Sequence, residues 1–200
     1  SLKDGLISAF KFLFSLAEKD IMENPKLADA ALQCLARQCT LFSDYLAALL
    51  TPEIFVKYRG ILMTAFMAPS EGTSLIASGC AALGSLLEAM LDAQHIAAKQ
   101  THVTRPLQAE RVNKWLLLQK FFTPDVLAEF SQVLLRISVF YNDDKILSET
   151  TEPLLFAYCL LPPGAFEQAM VPMVTSWQPN DRNLSEILLN EFHTMCESAA

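Results

Sequence analysis

The sequence predicts an all-α protein of eight or nine helices, laid side by side as antiparallel hairpins over residues 1–200. Three observations carry that prediction. Apolar residues recur at three- and four-residue steps along most of the chain, with no sustained alternation of the strand kind. Proline preceded by a capping residue recurs where such patterns begin, as in Asn24-Pro25, Thr51-Pro52 and Thr123-Pro124. Apolar residues make up 52% and charged residues only 18% of the chain. That share, low against about a quarter charged in an ordinary globular protein, means helices covered on more than one side.

The elements follow in order. A first helix covers about 4–19, with Leu6, Ile7, Phe10, Leu13, Phe14 and Ala17 on one face and Phe12 and Leu16 outside it. Asn24-Pro25 opens a second helix through Leu27, Ala31, Leu35 and Cys39, continuing or breaking near Ser43. Thr51-Pro52-Glu53 opens a third, which ends near Pro69. A fourth, rich in Ala, Gly and Ser, covers about 73–98. Its charge-free run from Thr73 to Leu87 falls short of the roughly 20 residues a spanning helix needs, so it is read as a buried helix and no membrane span is expected. Residues 100–106 read as a loop. A fifth helix then reaches Phe122, a sixth covers 124–141, and Asn142-Asp143-Asp144 turns into a seventh. Pro162-Pro163-Gly164 breaks the chain before an eighth helix ending at Trp177. Asn183-Leu-Ser-Glu186 has capping-box spacing for a ninth.

Charge is uneven. The net is −7, built from −3 over residues 1–98, +4 over 99–120 and −8 over 121–200. Phosphate affinity grows with the number of basic side chains that can neutralise it, so the chain as a whole disfavours nucleic acid. Only the middle stretch, with Lys99, Arg105, Arg111, Lys114 and Lys120, could attract an anion. Five widely spread cysteines (Cys34, Cys39, Cys80, Cys159, Cys196) form no C-x-x-C pair and read as buried free thiols. That usage favours a reducing compartment, cytoplasm or nucleus. The chain begins at Ser1 without a leader pattern, and it reads as a segment of a longer protein.

Internal similarity is the most informative feature. LLTPEIFVKYRGILMTAF (49–66), FFTPDVLAEFSQVLLRIS (121–138) and LLPPGAFEQAMVPMVTSW (160–177) share two large apolar residues, Thr or Pro, and then proline. Counted from the proline, apolar residues follow at the same offsets in the first two: Ile54, Phe55, Tyr58, Ile61, Leu62, and Val126, Leu127, Phe130, Val133, Leu134. The third keeps Ala165, Phe166, Ala169 and Met173 but has Pro172 in the series. The prolines stand 72 and 39 residues apart, one interval of about 40 and one close to twice about 36.

Over residues 41–177 this pattern resembles HEAT and armadillo-type repeat proteins. The resemblance implies stacked helix pairs, each unable to bury its apolar face alone. It also implies a contact surface in place of a reaction site.

Catalytic and cofactor chemistry finds no support. His95 and His102 lack the carboxylate or thiolate that would complete a metal set, and His193 with Cys196 is similarly short of ligands. Phosphate-loop, dinucleotide and nucleophile-elbow motifs are absent. The pairs Asp143/Asp144 and Glu149/Glu152 read as turn and helix-start residues. The expectation is a non-enzymatic protein-interaction scaffold with no cofactor, taking a helix or extended peptide in a groove. Its contact residues are expected among Lys99, Arg105, Arg111, Lys114, Lys120, Phe12 and Trp177. The alternative is a helical-repeat RNA adaptor that contacts its ligand through 99–120.

Overall fold

The computed structural model describes residues 2–16, 18–49, 51–67, 73–99, 116, 119–141, 144–177, 190 and 194. Every element among them is a helix, and no strand occurs among the described residues. These are α1 (Leu2–Ser15), α2 (Glu18–Met22), α3 (Pro25–Leu49), α4 (Pro52–Met67), α5 (Thr73–Lys99), α6 (Pro124–Phe140), α7 (Asp144–Leu160) and α8 (Ala165–Trp177). The fold is all-α. The helices expected before Phe122 and after Asn183 fall almost wholly outside the described residues.

Local chemistry explains the helix starts. Asn24 Oδ1 accepts from Leu27 N at 3.3 Å, Thr51 Oγ1 from Ile54 N at 3.3 Å, and Thr123 Oγ1 from Val126 N at 3.5 Å. In each case the following proline occupies the first helical position, where its missing N–H costs nothing. The Thr51 hydroxyl also holds the exposed Glu53 carboxyl below its ordinary range, with help from the Glu53 backbone. Between α7 and α8, Gly164 takes φ +78°, a conformation glycine adopts without steric cost.

One correction concerns the N-terminal third. The first helix is not continuous to residue 19; it ends at Ser15, and α2 begins at Glu18. The cause is tertiary. Lys57 Nζ on α4 donates to the carbonyls of Phe14 at 2.8 Å and Leu16 at 3.5 Å, so a cation satisfies the end of α1 where helix carbonyls lack partners. Of the two alternatives near Ser43, the helix continues: α3 runs 25 residues, Pro25–Leu49.

Packing falls into two rows. In one, α1 packs on α3, α3 on α5, and α5 on α7. In the other, α2 packs on α4, α4 on α6, and α6 on α8. Sequence neighbours join the rows through α2–α3, α3–α4, α4–α5 and α6–α7 contacts. The α3–α5 and α5–α7 seams are the most extensive, which places α5 at the centre of the core.

Small residues let α5 take that position. Gly79 lies so close to the Phe66 ring of α4 that a Cβ there would stand 2.9 Å from Cε1. Gly84 faces Pro153 of α7 at ordinary contact distance. Leu75, Ile76, Leu83, Leu86, Leu87 and Met90 are all buried, each worth about 1.5–3 kcal/mol on removal from water. Among the described residues α5 alone is long and apolar enough to cross a membrane, and in this fold 61% of its most apolar stretch is buried inside the protein.

Polar seams complete the core. The Tyr58 hydroxyl, 1% exposed, donates to Ala82 O at 3.0 Å and ties α4 to α5. Ser138 and Thr150 share a hydrogen bond of 2.6 Å between α6 and α7. Gln132 Nε2 donates to Ala169 O at 2.9 Å between α6 and α8. Arg59 of α4 pairs with Glu129 of α6.

Candidate interaction surface and cleft

The sequence-similar segments agree in burial at their first positions. Phe55, Leu127 and Phe166 are buried at the third residue after their prolines, and Ile54, Val126 and Ala165 are half-buried one residue earlier. Tyr58 and Phe130 are buried at the sixth. Phe55 stacks with Phe121 at 5.3 Å between ring centroids and meets Phe122 edge-on at 4.9 Å, so the aromatic pair that precedes α6 packs on the start of α4. Burial thus agrees at the starts of α4, α6 and α8, members of one row, and diverges further along: Ala169 and Met173 are half-buried and Pro172 is exposed where Tyr58, Leu62 and Ile61 of α4 are buried.

Apolar side chains remain on the outside. Phe12 is 66% exposed, Val56 67% and Met67 63%, with Leu147, Val171, Val139 and Leu27 also exposed. Isolated exposed apolar residues are ordinary. Phe12 and Val56, however, each lie within two residues of the Lys57 junction between α1 and α4.

The basic residues singled out in the sequence are not brought together by the described structure. Lys120 is exposed in the turn before α6, and Lys99 is the last residue of α5. Arg105, Arg111 and Lys114 lie outside the described residues, as do the side chains of Lys99 and Trp177. Phe12 is exposed as its position off the main face of the first helix implied.

One concavity gathers residues that sequence reasoning did not connect. A cleft of about 470 Å³ is lined by Leu91, Gln94 and His95 from the end of α5, by Tyr158 and Cys159 from the end of α7, and by Leu161, Pro162, Pro163, Gly164 and Phe166. His95 reads in the sequence as a solvent-exposed histidine, and it is exposed at this cleft's rim. Contributions separated by more than sixty residues leave no local motif to find.

The cleft does not assemble an activated nucleophile. Partial burial pushes the Cys159 thiol up, which disfavours the reactive thiolate, and no hydrogen bond joins it to His95 among the described residues. Cys34 is likewise raised by burial, against a smaller opposing effect of Arg37. Cys80, within the α5 core, is pushed up to about 12, mainly by desolvation and further by the Glu149 carboxylate. All three are free thiols. No group of three or more His, Cys, Asp or Glu side chains with metal-binding placement occurs among the described residues.

No protein-family model matches the chain, and neither a curated protein nor a solved structure is detectably similar to it.

Proposed function

We propose that the chain is a non-catalytic scaffold of stacked helical hairpins, of the HEAT/armadillo kind, that binds another protein. The observation that carries this reading is the joint register of sequence and burial in α4, α6 and α8. Three segments of similar sequence open helices of one row with the same half-buried and buried pair, Ile54–Phe55, Val126–Leu127 and Ala165–Phe166. A row in which each helix packs on the next but one is how repeats cover faces they cannot bury alone. Exposed apolar side chains on α4, α6 and α8, with Val56, Val139 and Val171, give the same row contact area outside the core. Free, high-pKa thiols accord with residence in the cytoplasm or nucleus.

The experiment is a purified two-component affinity measurement. The chain would be used to isolate a partner from its native cell, and the partner then purified and titrated against wild type, Phe12→Asp, Val56→Asp and Val171→Asp. At least one substitution should weaken binding about tenfold, or ~1.4 kcal/mol, while circular dichroism and melting stay unchanged. Equal affinity for all three variants defeats this assignment of the contact surface. A salt-dependent RNA complex lost in Arg111→Glu/Lys114→Glu would move the assignment to nucleic acid.

A further inference from the structure

We infer that α1 is an exchangeable arm: it leaves its seat as a unit, with the Lys57 ammonium as the latch, and the vacated seat takes the α1 of a second copy of the chain. The inference goes beyond the scaffold reading and does not need it. It rests on how little of α1 is anchored, and on what anchors it.

The anchoring side chains lie within one turn and a half. Phe10, Leu13 and Phe14 are buried, with the Phe10 and Phe14 rings tilted against each other at 4.6 Å between centroids. No described side chain before Phe10 is buried. Asp4, Ser8 and Ala9 are exposed, and a Cβ built on Gly5 would meet nothing within 4 Å. The first half of α1 therefore stands clear of the core. At its other end the helix stops at Ser15 and α2 begins at Glu18, so α1 has a pivot and can move without unwinding its neighbour. The seat outlasts its occupant, because α3 is fixed independently by its long seam with α5.

The latch is electrostatic. Ser15 Oγ donates to Phe12 O at 2.6 Å, and Leu16 N to Leu13 O at 3.3 Å; these local bonds travel with α1. Lys57 Nζ, by contrast, crosses from α4 to Phe14 O and Leu16 O. It places a positive charge at the negative pole of α1, and charge-assisted bonds of this kind are roughly twice as strong as neutral ones. A helix of 14 residues is marginal by itself in water, so α1 frays once it leaves.

The seat specifies its occupant. A replacement must bring large apolar side chains at steps of three and one, as Phe10, Leu13 and Phe14 do, followed by helix-terminal carbonyls for Lys57. The α1 of another copy supplies all of these, because the contacts across an exchanged junction are those of the closed chain. The tether gives the resident arm an effective concentration on the order of millimolar. The closed chain therefore prevails in dilute solution, and exchange shows when arm and seat are made unequal.

Two variants do this. Phe10→Ala/Phe14→Ala weakens the arm and leaves the latch in place, whereas Lys57→Met weakens the seat and leaves the arm whole. In an equimolar mixture the one full-strength pairing lies between copies. Native mass spectrometry should then show at least about tenfold more heterodimer than the homodimer of either chain alone. Replacing Lys57→Met by Lys57→Arg, which keeps a charged donor, should remove most of that excess. Leu13→Ala serves as the weakened arm if the double variant unfolds. Amide exchange of single chains gives a second readout. Wild-type α1 should exchange faster than α5, and about tenfold faster again in Lys57→Met with α5 unchanged. A mixture of folded chains without excess heterodimer overturns the inference. So does wild-type α1 exchanging as slowly as α5, or α1 exchange that ignores Lys57→Met.

Discussion

Gly79 and Gly84 lie five residues apart on α5, and the same substitution at each should have opposite effects. Alanine is favoured over glycine in a helix interior by about 1 kcal/mol. At Gly84 the added methyl would meet only Pro153 Cβ and Cδ, both at 3.8 Å. This is ordinary contact, so Gly84→Ala should stabilise the protein by about 0.5–1 kcal/mol. At Gly79 the methyl would stand 2.9 Å from Phe66 Cε1 and 3.5 Å from Cδ1 and Cζ. Phe66 is 3% exposed, so its ring has little room to retreat. Overpacking of this kind costs about 1–3 kcal/mol, which equals or exceeds the propensity gain. The two variants should therefore differ by about 1–3 kcal/mol, with Gly79→Ala the less stable. Urea unfolding monitored by circular dichroism would report the difference as separated midpoints at unchanged slope. If Gly79→Ala stabilised as much as Gly84→Ala, α4 could not lie against α5 as described, and the central seam of the fold would be wrong.

Three further outcomes follow from named contacts. Tyr58→Phe should cost about 0.5–1.5 kcal/mol, the usual worth of one hydrogen bond, because it removes the 3.0 Å bond to Ala82 O and little volume; urea unfolding measures it. The Arg59–Glu129 pair is more than a third exposed on both sides, so a double-mutant cycle with Arg59→Ala and Glu129→Ala should return a coupling of only about 0.2–1 kcal/mol, smaller at high salt. Cys80 makes stability depend on alkaline pH. Its thiol would titrate near 9.0 when unfolded and at about 12 when folded, so its full contribution is present below pH 9.0. As pH rises from there toward about 12, the unfolded chain loses the proton first and stability falls by about 1.4 kcal/mol per pH unit. Subtracting the pH profile of Cys80→Ala, which lacks this slope, isolates it.

The parts of the fold legible in sequence are those decided locally. Thr51-Pro52 and Thr123-Pro124 set their helices by a hydroxyl and a ring within three residues of the start, so their boundaries could be read directly. The buried series Phe55, Tyr58, Ile61, Leu62 followed from helical spacing alone. The break after Ser15 could not be foreseen, because the lysine that donates to the carbonyls of Phe14 and Leu16 stands more than forty residues away. The cleft was missed for a related reason. Pro162-Pro163-Gly164 was visible as a chain break, but its role as a wall depends on α5 arriving with Leu91, Gln94 and His95. The basic stretch of 99–120 showed the opposite failing: a conspicuous pattern in sequence, of which Lys120 alone has a described side chain.

The proposed scaffold requires that neighbouring helices of one row form a single surface for a protein partner. Amide hydrogen exchange of the chain, alone and saturated with its purified partner, reads that surface out helix by helix. Exchange should slow in at least two of α4, α6 and α8 together, although they are far apart in sequence, with α5 unchanged at the core. Protection confined to one helix and its sequence neighbours, or no change at saturation, would contradict it.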